Sequence, residues 1–358
     1  MATAKKKYGF DPDYAIPPGE TLLEVIDSLN MTQKDLALRT GLTVQSINRI
    51  IKGDQPITYE TANRLELTTG VPARMWNNLE AQYREQLAKI SEQEQLKENL
   101  SWLKEIPVRE LAQRGLIANT TEKTAQLREV LKFYGVSSVD AWHDIWANPK
   151  VAARRSKCFE TCPGPASAWI RQGEVFAHAQ KCGPYSKREF TDALSEIRGL
   201  TTAPPATFVP KMKDLCARSG VAFVMVKEMK KVPWRGATKW LAPNKAMILL
   251  NLRGKSEDQF WFSFFHEAGH VLNDSKKDLY INDDKRGDER EALADKFAAD
   301  FLIPSTWNNK IKAAKSKAEI ISLSNEIDIS KGIVVGRYHH LTKNWKYFNG
   351  LKRKFEWE

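Results

Sequence analysis

Residues 260–270 read FWFSFFHEAGH. In a helix, side chains four residues apart stand one above the other on a single face. His266 and His270 therefore direct two imidazoles at one point, and Glu267 lies beside it. Phe260, Trp261, Phe262, Phe264, Phe265, Val271 and Leu272 make the segment apolar nearly all round, the pattern of a helix buried inside a domain. Buried imidazoles and a buried carboxylate are costly unless partnered. Two core histidines hydrogen-bonded to carbonyls would meet that need, and so would one metal ion bound by both rings.

The spacing H-E-x-x-H is the one zinc peptidases use, with two histidine ligands and a glutamate that holds a water. Such a site needs a third protein ligand and an open fourth position. Of the six histidines, His143 and His178 lie far upstream, and His339 and His340 lie near the end. The segment DEREALADKFAADFLIP (288–304) is the better source. It reads as a helix from about 289 to 302, with Asp288 as N-cap and Pro304 as a stop. Glu291, Ala294, Asp295 and Ala298 form one stripe, whose two alanines allow a close approach to the histidine helix. Glu291 is the expected third ligand. The alternative for it is a capping box with Asp288. Asp295, one turn on, is placed to accept the far N–H of His266 and fix its tautomer.

Zinc in this setting brings its bound water to a pKa of about 7. Glu267 is then the catalytic residue that takes the water's proton and passes it to the leaving amine. His340 is a second catalytic candidate, as a donor to the oxyanion, although a His pair this near the end is more often surface. Upstream, KAMILLNL (245–252) is β-prone and is expected to border the cleft, where an extended substrate could add to its edge.

HEAGH, then E-x-x-A-D-x-F-A, then L-I-P at Leu302 to Pro304, resembles the ImmA/IrrE metallopeptidase family. Ser330, Arg337 and GIVVGRYHHL (332–341) resemble its closing helices, and the likeness runs over roughly 200–358. It implies zinc held by His266, His270 and Glu291, with Glu267 catalytic, in a gluzincin-like endopeptidase. It also implies an intracellular regulatory protease that cuts a repressor, antitoxin or toxin-like partner rather than food protein.

A second signal lies near the beginning. Residues 32–52 read TQKDLALRTGLTVQSINRIIK. Thr32 can cap a helix holding Leu36, Ala37 and Leu38, and Gly41 supplies a turn. Thr43 then caps a second helix with Val44, Ile47 and Ile50 inward. Gln33, Thr43, Gln45, Ser46, Asn48, Arg49 and Lys52 are left to meet DNA, and Gln, Asn and Arg are the side chains that read base edges bidentately. IPPGETLLEVI through GDQPITYETANRLELTTGVPARMWNNLEAQY resembles the HigA branch of the XRE-type helix-turn-helix family, over about 14–85. That resemblance implies double-stranded operator DNA as partner and a homodimer. A small helical bundle used only for protein contacts is the alternative.

Charge is unevenly spread. The chain of 358 residues carries a net charge of +11. Residues 1–90 hold 11 Lys and Arg against 11 Asp and Glu, whereas 151–256 hold 19 basic and 7 acidic side chains. The excess reads as a solvated basic surface or as a second nucleic-acid contact. The length exceeds one ordinary core. The expected class is multidomain. It comprises an all-α helix-turn-helix head (1–90), an α-helical connector (91–200) and an α+β zincin-like metallopeptidase body (201–358), with Pro204–Pro205 marking the last boundary.

MATAKKKYGF lacks the apolar core of a signal peptide, and no run reaches the roughly 18 apolar residues of a membrane helix. Cytoplasm without membrane contact is expected, with Lys5 to Lys7 as a solvated arm. Cys158, Cys162, Cys182 and Cys216 read as free thiols of a reducing compartment. The other reading is a cysteine that occupies the open zinc position and silences the enzyme.

Overall fold

The computed structural model describes residues 13–147, 162–274, 279–281 and 289–357. Lys5 to Lys7, Cys158 and the expected cap Asp288 lie outside them. The chain divides into two compact units, Met1–Leu100 and Ser101–Glu358.

The first unit is all helical: α1 (Pro18–Ser28), α2 (Gln33–Thr40), α3 (Val44–Ile51), α4 (Tyr59–Thr69) and α5 (Ala73–Glu98). Local chemistry sets these boundaries. Thr32 Oγ1 accepts from the Asp35 amide at 3.1 Å, while the Asp35 carboxylate accepts from the Thr32 amide at 3.1 Å. This reciprocal box starts α2. Gly41, at φ 69°, ends α2 in the left-handed conformation that glycine adopts without strain. Thr43 then caps α3 through the Ser46 amide at 3.0 Å. Leu22, Ile26, Leu36, Ile47, Ile50, Leu65 and Trp76 fill the core at 0–1% exposure. Two expected core residues are not in it. Leu38 is 85% exposed and Val44 is 44% exposed. Leu38 lies off the stripe that Leu36 and Ala37 share, and Val44 occupies the first turn of α3, ahead of the packed Ile47 and Ile50.

The second unit opens with α6 (Val108–Gln113), α7 (Lys123–Tyr134) and α8 (Val139–Trp142). Next come α9 (Pro163–Ala179), α10 (Lys187–Gly199) and α11 (Pro205–Arg218). Pro204–Pro205 begins α11, with Pro205 at a helical position whose N–H needs no partner, so the pair is a helix start inside the unit. The sheet has β1 (Val221–Met225), β2 (Gly236–Ala242), β3 (Lys245–Leu250) and β4 (Leu279–Ile281) in the order β1-β3-β2-β4. β3 runs parallel to β1 and antiparallel to β2, and β2 pairs antiparallel with β4.

β3 is therefore an interior strand, which corrects the expectation that KAMILLNL offers an edge to substrate. Its nearly unbroken apolar run is the mark of a strand covered on both faces. Leu249 meets Gly173 of α9 on one face. Leu250, pointing the other way, lies near Gly236 on the side of α12 (Glu257–Asn273), the histidine helix. Helix α9, from the stretch read as a connector, thus completes the same core as the strands. The remaining helices are α13 (Glu289–Leu302), α14 (Asn308–Ala313), α15 (Lys317–Ile327) and α16 (Lys331–Thr342).

Candidate metal centre and recognition helix

Helix α12 is anchored at its start. The fully buried Glu257 carboxylate accepts from Ser330 Oγ at 2.7 Å and from Arg353 Nε at 2.6 Å. Arg353 also donates to the carbonyls of Thr202 and Ala203 at 3.1 and 2.8 Å. The tail thereby ties the first turn of α12 to the loop after α10. Three turns along α12, the imidazoles converge, with Nε2 of His266 3.1 Å from Nε2 of His270. Glu291 of α13 lies against both, 3.2 Å from His266 Nε2 and 3.4 Å from His270 Nε2. One ligand atom from each of the three lies within 4.8 Å of the others. The approach of the two helices depends on small residues, since a Cβ on Gly269 would sit 3.3 Å from Ala294 Cα.

Each ring is oriented from behind. His266 Nδ1 lies 2.8 Å from Asp295 Oδ1, and His270 Nδ1 bonds Asp274 Oδ2. With both Nδ1–H groups donating to carboxylates, both Nε2 atoms face the shared point, where each can hold a proton toward Glu291 or ligate a metal ion. Burial disfavours the charged imidazole of His266, but hydrogen bonds to Asp295 and Glu291 prevail and raise its pKa to about 10. Burial would raise Glu291, yet the two imidazoles hold it at about 2. Protons and a divalent cation compete for these lone pairs.

Glu267 is completely buried. Its Oε2 accepts from Thr238 Oγ1 at 2.7 Å, while Oε1 has no hydrogen-bond partner among the described residues. Burial, opposed by the nearby histidines, raises its pKa to about 6. Gly236 keeps the space beside Oε1 clear, because a Cβ there would lie 2.5 Å from it. A buried, unpartnered carboxylate oxygen on the residue next to His266, electrostatically coupled to both imidazoles, fits a catalytic zinc with its bound water.

The helix that carries Glu291 is held at its far end. Arg337 donates to the carbonyls of Ala299 and Ile303, the latter at 3.0 Å, and Arg198 donates to those of Phe301 and Leu302 at 3.1 and 3.0 Å. Cations there satisfy the last carbonyls and complement the helix dipole.

His340 is exposed on α16 and makes no hydrogen bond to the cluster among the described residues. It shares an electrostatic neighbour with the site, Asp295. His339 is buried, with Nε2 2.6 Å from the Tyr347 carbonyl oxygen. Cys162, Cys182 and Cys216 are free thiols, and none belongs to the metal-ligand cluster. Asp274, Thr238 and Gly236 escaped the sequence reading. Asp274 had a local signal, four residues after His270, whereas Thr238 and Gly236 reach Glu267 only through the tertiary fold.

In the first unit, Thr43, Gln45, Asn48, Arg49 and Lys52 are exposed on or beside α3, and Gln33 and Ser46 are partly so. These side chains lie opposite the buried Ile47 and Ile50, the arrangement of a helix presented to a groove.

Residues 223–335 match the IrrE N-terminal-like domain, a peptidase family. This IrrE-like domain holds the whole metal cluster. Residues 22–76 match the helix-turn-helix family, and the match contains both α2 and α3. The chain thus joins a DNA-binding head to a peptidase-like body. No curated protein matches it. No helix among the described residues is long and apolar enough to cross a membrane.

Proposed function

We propose that this protein is a cytoplasmic transcriptional regulator of the antitoxin or repressor type whose IrrE-like domain is a zinc-dependent endopeptidase acting on a regulatory protein partner. The observation that carries the reading is the convergence of His266, His270 and Glu291 beside the unpartnered Oε1 of Glu267. Zinc held by His266, His270 and Glu291 would supply an acidified water and polarise the scissile carbonyl. Glu267 Oε1 would take the proton of that water and deliver it to the amine as the C–N bond breaks, a task suited to a carboxyl whose pKa burial raises to about 6. Thr238 holds the other oxygen, so the carboxylate has one free acceptor. Asp295 and Asp274 keep both rings in the ligating tautomer. α3 reads a double-stranded operator in a HigA-like manner, with the head paired as a homodimer, and the basic stretch 151–256 adds a second nucleic-acid contact.

A second reading, a repressor whose peptidase fold does not cleave, is favoured by the burial of the cluster. His266, Glu267 and His270 are 0–1% exposed, and only the Glu291 side chain reaches 19%. One experiment separates the two. Zinc content is measured for the purified wild type and Glu267→Gln, and each is co-expressed with the products of neighbouring genes. Zinc in both proteins and loss of a cleavage product in the variant support the endopeptidase. Zinc in both with every partner intact supports the silent repressor.

A further inference from the structure

One turn upstream of Glu267 on the same helix lies a small, partly open pocket whose lining is entirely neutral or cationic. Arg235 and Arg253 contribute two positive charges, Lys255 lines it with its ammonium paired to Glu356, Gln259 and Ser263 come from α12, and no carboxylate is in the lining. Its free volume of about 10 Å³ has room for one oxygen-sized atom. Three polar atoms in this lining are buried without a hydrogen-bond partner among the described residues: Arg235 Nε, Arg253 Nε and Gln259 Oε1. Orphaned buried donors are expensive. Arg253 satisfies its Nη2 at the Val232 carbonyl, which leaves the Nε of each arginine as the unmet donor in this lining. Nearby carboxylates do not relieve them, since each is taken by another cation: Glu257 by Arg353, Asp258 by Lys352 and Glu356 by Lys255.

The position of the pocket gives it meaning. Gln259, Ser263 and Glu267 follow one another at four-residue steps on α12, so the pocket floor runs on into the face that bears the candidate metal centre. Ser263 and Glu267 lie about 6 Å apart along the helix axis. On the sheet side, Arg235 directly precedes Gly236, which packs on Glu267 Oε1.

We infer that this pocket is a substrate subsite that receives a carboxylate oxygen, with Arg235 and Arg253 donating through Nε. The inference rests on the endopeptidase reading and adds to it a class of substrate, a peptide with an acidic group near the scissile bond. Charge-assisted bonds to two guanidiniums favour an anionic oxygen over a neutral one. Phe260 and Phe355 supply the apolar part of the lining.

The test uses the full-length wild-type protein and reads the arginine Nε–H signals by ¹⁵N NMR. N-acetylaspartate amide, N-acetylasparagine amide and N-acetylglycine are titrated in turn. A saturable shift with the aspartate compound, none with the asparagine compound at equal concentration, and at least tenfold weaker binding in Arg235→Gln support the subsite. Saturation by N-acetylglycine at lower concentration assigns the pocket to the carboxyl end of a peptide rather than to a side chain. Equal responses to the charged and neutral compounds, or none to either, overturn the proposal and leave the pocket as a site for ordered water only. Because this comparison uses unaltered protein, it stands even if Arg235→Gln folds poorly. In any peptide the protein cleaves, replacing the acidic residue by its amide raises KM with little change in kcat, and Arg235→Gln abolishes the difference. Carboxylate binding without cleavage of any peptide sinks the endopeptidase reading and leaves the pocket intact.

Discussion

His266 and His270 each carry two distinct nitrogens, and the surroundings decide what each does. Asp295 and Asp274 hold Nδ1, which leaves Nε2 for the cluster. Asp295→Asn and Asp274→Asn are each expected to weaken zinc binding by about 10–100-fold without removing a ligand. Competition with a chromogenic chelator measures this, and an unchanged affinity in both variants would assign the two aspartates no part in positioning the rings. At this scale the sequence was most readable for groups on one helix. The i, i+4 histidines, the adjacent glutamate and the stripe of Glu291 and Asp295 follow from helical geometry alone. Thr238 was not readable, because it is 29 residues from Glu267 in the chain and meets it only when the sheet packs beneath α12.

Among elements, the firmest joint fixes the start of α12. Glu257 is wholly buried and ion-paired to Arg353, 96 residues later. Removing one partner of a buried pair strands the other, so Arg353→Met should cost about 3–5 kcal/mol, read from the urea midpoint of unfolding. The double variant Glu257→Leu with Arg353→Met should recover much of that loss. If the single variant unfolds at the wild-type midpoint, the tail does not hold the helix. Helix limits were legible because they are written locally: the cap Thr32, the turn at Gly41, the cap Thr43 and the end of α13 before Pro304. Strand order was not. Nothing in KAMILLNL states that β1 pairs with one side and β2 with the other, and the segment was read as offering an edge to substrate.

Across the whole second unit, one ionic joint ties α9 to the sheet. Burial would raise the Glu174 carboxyl, but Lys239 and Arg171 outweigh it and hold its pKa below the ordinary 4.5. A carboxyl depressed in the folded state stabilises fully above its unfolded pKa, and that contribution is lost as pH falls through the folded value. Stability should therefore fall below a pH of about 4.5. Glu174→Gln should be less stable at neutral pH and show a shallower acid limb, measured by urea unfolding across that range. An acid limb as steep as that of the wild type would place the linkage elsewhere. The charge imbalance between head and body was visible in composition alone, whereas the membership of α9 in the body core depended on contacts that composition does not encode. Finally, DNA-binding head and peptidase-like body are one polypeptide. If the proposed protein partner binds the same duplex, the tether to a seated head would present it to the body at an effective concentration of up to about millimolar where the link spans the gap. An enzyme with weak intrinsic affinity would then still act selectively, choosing its targets by address rather than by grip.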